Sequence, residues 1–158
     1  MNLDRLPGYA RVWVYQSNKE LTAEQTAAIS KVMEQFVSQW QAHGSDLVAG
    51  FEIRNQRWLI LAVDETKQAA TGCSIDSSVH LIQKLGNELG IDFFDRTLIV
   101  WGGSEGLQED RMHDFWAKRK AGIVTAETQV YNTLATDLNE LRSSWEQSFE
   151  ESWHQSMW

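Results

Sequence analysis

The chain has 158 residues, 42% of them hydrophobic and 23% charged, which fits one globular domain and excludes a disordered chain. A formal charge of −8 disfavours non-specific binding to nucleic acid or an anionic membrane, and the single cysteine excludes an internal disulfide and a thiolate metal cluster. The lone proline argues against two domains on a flexible linker. Residues Met1–Gly8 lack the basic and apolar regions of a signal peptide, and no apolar run reaches membrane-span length, so a cytoplasmic protein is expected.

Arg11–Gln16 is rich in β-branched and aromatic residues after a Pro-Gly turn and predicts a strand. Thr22 with Gln25 forms a capping-box pattern that starts a helix. Its apolar residues Ala28, Ile29, Val32, Phe36, Val37 and Trp40 make one stripe, and Gly44 is placed as its left-handed stop. Leu47–Arg54 and Arg57–Val63 predict two strands joined by a tight hairpin at Asn55-Gln56, a pair that leaves the turn type open. A second helix spans about Ser74 to Leu89, with Ile75, Val79, Ile82 and Leu85 inward and Gly90 ending it. Thr97–Trp101 is the fourth strand, stopped by Gly102-Gly103.

The order β-α-β-β-α-β predicts an α+β fold in which two helices cover one face of a four-stranded, mostly antiparallel sheet, the ferredoxin-like arrangement. The strands are apolar on both faces: Val12 and Val14 oppose Trp13 and Tyr15, and Trp58, Ile60 and Ala62 oppose Leu59, Leu61 and Val63. Leaving four or five such side chains in water forfeits on the order of 10 kcal/mol, so a mainly helical extension, residues 109–158, is expected to cover the second face of the 8–101 core. That extension predicts helices near Glu109–Lys120 and Asp137–Trp145, with a short extended piece at Thr128–Asn132. In the tail, Trp145, Phe149, Trp153 and Trp158 recur at near-helical spacing, which predicts an ordered end packed on its own domain or on a second subunit. Either a monomer or a homodimer fits.

The segment Thr71-Gly72-Cys73-Ser74-Ile75-Asp76-Ser77 is the candidate ligand site. It opens a helix, where unpaired backbone N–H groups and the dipole favour a phosphate or carboxylate, and Gly72 allows close approach. The plain alternative is an N-cap beside a small packed thiol. Cys73 is a candidate nucleophile, although His80, two turns on, lies too far along the helix to activate it. Asp64 and Asp76 are candidate acid–base carboxylates, with loop solvation as the ordinary reading. The histidines show no ligand spacing, and no metal or cofactor is expected. Lys118-Arg119-Lys120 is the strongest basic patch, against which stands a solvated helix end. Trp101–Gly106 is glycine-rich but has no Lys-Ser/Thr to make a phosphate loop.

Across nearly its whole length the chain resembles a family of small Bacteroidetes-type bacterial proteins often labelled ABC transporter ATPase. The resemblance is carried by RVWVYQSN (11–18), AGFEIRNQRW (49–58), ATGCSIDSSV (70–79) and ESWH (151–154). The label implies nucleotide hydrolysis, for which the chain holds no Walker A sequence. The resemblance assigns no residue roles, but adds weight to Thr71–Ser78 as a site. The function expected is a non-enzymatic module binding a small anionic ligand or a protein partner. The alternative is a small hydrolase or transferase using Cys73 or the Asp64 and Asp76 carboxylates.

Overall fold

The computed structural model describes residues 2–102 and 106–157. Gly103 to Glu105 of the glycine-rich segment and Trp158 of the aromatic tail lie outside them. The fold is mixed α+β. Strand β1 (Arg11–Gln16) leads to helix α1 (Ala23–Gln39), which Thr22 caps through both bonds of the box with Gln25. The short strands β2 (Gln41–Ala42) and β3 (Ser45–Asp46) follow. His43 and Gly44 turn between them with φ of 52° and 74°, so Gly44 serves a hairpin and not the helix stop expected of it. Strands β4 (Val48–Arg54) and β5 (Trp58–Asp64) make the predicted hairpin. Helix α2 (Gly72–Leu89) then ends on left-handed Gly90.

The first sheet has the order β1-β5-β4, with β5 antiparallel to both neighbours. Residues Trp58 to Val63 of this central strand are completely buried. Leu59, Leu61 and Val63 meet Ile29, Met33 and Val37 of α1 and Ile82 and Leu85 of α2 in one core. The inward face of α2 is as expected at Ile82 and Leu85 but not in its first two turns. Ser74 and Ser78 are buried while Ile75 and Val79 are only half-buried, because the indole of Trp40 packs there and donates Nε1–H to Ser74 O at 2.8 Å.

The expected four-stranded sheet does not form. Strand β6 (Leu98–Trp101) belongs to a second sheet, ordered β7-β6-β8-β9, with β7 (Gln108–Arg111), β8 (Gln129–Tyr131) and β9 (Glu146–Ser148). The edge of β1 that a fourth strand would have occupied is taken by the chain near Thr136. Val12 N–H donates to Thr136 O, and Leu138 N–H donates to Ala10 O, both at 3.0 Å. The Gln16 amide still reaches Leu98 O at 2.8 Å, stitching the two sheets with one side chain.

Residues after 107 are mixed, not mainly helical. Helix α3 (Met112–Lys120) starts later than expected because Gln108–Arg111, four polar residues in a row, form an edge strand, where charge discourages further pairing. Helix α4 (Leu138–Ser144) is capped by Asp137. The tail is ordered as β9 and 3₁₀ turns, Phe149–Glu151 and Trp153–Met157, instead of the expected helical stripe. Val100, Tyr131, Leu138, Leu141 and Trp145 close over Val12, Trp58, Ile60 and Ala62 on the second face of the first sheet. Leu3, Leu6 and Ala10 from the N-terminus join them. Full burial of each large side chain there stabilises by about 2 kcal/mol. A third core, Ile99, Phe115, Val124, Val130 and Phe149, fills the space beneath α3.

Candidate functional site

The α2 N-terminus is a self-satisfied cap. Thr71 Oγ1 accepts from Ser74 N–H at 3.2 Å, Thr71 N–H donates to Ser74 Oγ at 2.7 Å, and Ser74 Oγ donates to Thr71 O at 2.8 Å. Ser77 Oγ donates back to Cys73 O at 3.0 Å, which leaves it little reach toward a ligand. A Cβ on Gly72 would meet open space, so no close approach requires the glycine. Cys73 is exposed, which sets aside the packed thiol of the plain alternative. Asp76 is exposed on the first turn, while Asp64 Oδ1 organises its own turn by accepting from the backbone N–H and hydroxyl of Thr66 at 3.1 and 2.8 Å.

The basic patch is spent internally. Lys118 Nζ binds Asp110 at 3.0 Å and lies 5.5 Å from the Trp101 ring centre. Arg119 and Lys120 each lie 5.2 Å from a ring, those of Phe149 and Trp116. His43, His80 and His113 are exposed. His154 is buried beside Phe115 and stacked on Trp153 at 3.8 Å, and burial depresses its pKa to about 4. Among the described residues no group of three metal-ligating side chains converges, and no helix is long and apolar enough to cross a membrane.

Two features escape the sequence reading. The first is Arg57. Asn55 and Gln56 both take positive φ, and Arg54 pairs with Trp58, so Arg57 is an extra residue in the hairpin. Its side chain turns inward and is only 5% exposed. Nε–H donates to Ser17 O at 3.0 Å, and the guanidinium pairs with Glu109 of β7, a second link between the sheets. Burial lowers the pKa of Arg57, and the charge of Glu20 opposes that.

The second is a cleft of about 410 Å³ between the 54–57 turn and the end of α4. Arg54, Asn55, Arg142, Ser143, Trp145 and Glu146 line it, and it opens broadly to solvent. Both arginines are pinned from outside the opening. Arg54 Nε–H donates to Glu52 at 2.5 Å and its guanidinium lies 5.4 Å from the Trp145 ring centre. One terminal amino group of Arg142 donates to the carbonyls of Leu3 and Leu6 at 3.1 and 2.8 Å. A guanidinium has five N–H donors, so each arginine keeps donors in reserve. Trp145 Nε1 is buried without a hydrogen-bond partner among the described residues. Glu146 adds a negative charge that, after burial, helps push the Tyr131 hydroxyl up to about 12. A second cleft of equal volume, under the end of α2, is walled by Ile82, Ile91, Phe93 and Phe94, and no cation lines it.

No pattern in the sequence links Arg54 to Arg142. Both line this cleft because the C-terminal third folds back over the second face of the first sheet, so the order of the elements gave no signal. No protein-family model, curated protein or solved structure matches the chain.

Proposed function

We propose that this protein is a binding module that takes a small anionic ligand in the cleft between the 54–57 turn and α4. One observation carries the reading: two guanidiniums, each held in place by an internal partner, line the same small cleft with donors unspent. Their positions are fixed before any ligand arrives, so little ordering entropy is lost on binding. Guanidinium also matches the planar, bidentate geometry of carboxylate and phosphate. The cleft is preferred to the α2 N-terminus because the hydroxyls of Thr71, Ser74 and Ser77 already serve the helix.

Thermal-shift measurement against acetate, phosphate and nucleotides tests this. A ligand at a hundred times its Kd adds about 2.7 kcal/mol to the native state, a rise of several degrees. Arg54→Gln and Arg142→Gln, each compared with its own unliganded melting point, should weaken binding at least about 10-fold. Shifts that survive both substitutions place the ligand elsewhere. No shift with any small anion leaves a protein partner as the form of the module to pursue.

A further inference from the structure

The cleft also holds a carboxylate, and its placement narrows the ligand class. This step rests on the proposed anion site. Glu146, exposed at the start of β9, lines the same opening as Arg54 and Arg142. Arg54 is paired instead with Glu52, and no ion pair among the described residues joins Glu146 to either arginine. Opposite charges that share a cleft of this size would ordinarily neutralise each other directly. Here the arginines are bonded instead to Glu52 and to the Leu3 and Leu6 carbonyls.

A ligand with only negative charge would gain from the arginines and be opposed by Glu146. A ligand with only positive charge meets the reverse. We infer that the site is built for a zwitterion, a free α-amino acid whose carboxylate binds Arg54 and Arg142 while its ammonium faces Glu146.

The test uses the full chain, with calorimetric titration of L-leucine, N-acetyl-L-leucine, L-leucinamide and acetate. L-Leucine should bind about 2- to 5-fold more tightly than either blocked derivative, the ratio expected of one exposed charge pair. Glu146→Gln should bring L-leucine down to the affinity of N-acetyl-L-leucine, and acetate, no longer opposed by that charge, should bind the variant at least as tightly as the wild type. That residue is exposed, so folding is expected to survive, and an unchanged melting point confirms it. N-Acetyl-L-leucine or L-leucinamide binding as tightly as L-leucine would overturn the zwitterion and leave an anion site standing if acetate still binds through Arg54. L-Leucine binding that is indifferent to Glu146→Gln would overturn it equally. Failure of acetate, phosphate and every leucine derivative alike would remove both the site and the inference built on it.

Discussion

His154 gives the sharpest quantitative test of the packing. The ring is 2% exposed, lies against Trp153 and Phe115, and places Nδ1 3.1 Å from Ser152 Oγ. Ser152 Oγ donates to Phe149 O, so the hydroxyl accepts from the imidazole, which fixes the neutral ring with hydrogen on Nδ1. Burial depresses the folded pKa from 6.5 to about 4. In the unfolded chain the ring takes up its proton as pH falls through 6.5, whereas the folded ring resists until about pH 4. Its contribution is therefore fully present above pH 6.5 and is lost progressively between pH 6.5 and 4. The interval of roughly 2.5 units corresponds to about 3 kcal/mol, a large share of an ordinary domain's stability. His154→Phe keeps an aromatic ring against Trp153 and has nothing to protonate. Urea unfolding of both proteins at pH 7.5, 5.5 and 4.5 should show wild type losing about 2–3 kcal/mol more than the variant across that range. Because every carboxylate is common to both proteins, the difference isolates the histidine. Parallel pH profiles would show that His154 titrates normally and that the Phe149–Met157 turns do not shield it.

Two further outcomes check other parts of the structure. Arg57→Leu should lower stability by about 1–3 kcal/mol in denaturant unfolding, because Ser17 O loses its buried donor while half-exposed Glu109 can return to water; an unchanged midpoint would mean that the link between the sheets adds nothing. Cys73 should react fully with iodoacetamide in the native protein, without denaturant, because it is exposed on the first turn of α2; labelling that appears only on unfolding would place the thiol inside and contradict the α2 register.

The elements most legible in the sequence were those whose signals are local. Thr22 with Gln25 marked the start of α1, Gly90 marked the end of α2, and alternation across Val12–Tyr15 and Trp58–Val63 showed that both faces of the first sheet needed cover. The partner of β6 was not legible, because Leu98–Trp101 reads equally well beside β1 or beside Gln108–Arg111, and the choice depends on what else occupies the β1 edge. The tail misled for a related reason. Trp145 and Phe149 are four apart and both buried, as a helix would have them, yet they enter two different cores from the two ends of a short strand. The cleft was invisible because its charges come from the end of β4 and from α4 and β9, far apart in the chain. Thr71–Ser77 stood out because the same residues that bind anions at helix ends also cap helices, and here Thr71 and Ser74 cap.

The closure of the β1 edge also bears on the order in which the protein can assemble. Val12 waits for Thr136 and Ala10 for Leu138, partners that leave the ribosome long after β1 itself. Until then the nascent molecule carries an open strand edge beside an uncovered apolar surface formed by Trp58, Ile60 and Ala62. Pairings between distant parts of a chain form slowly, and unpaired edges invite association with other chains. The interval between synthesis of β5 and arrival of α4 is therefore the period when this protein is most exposed to aggregation, and anything that slows translation through residues 107–145 lengthens it.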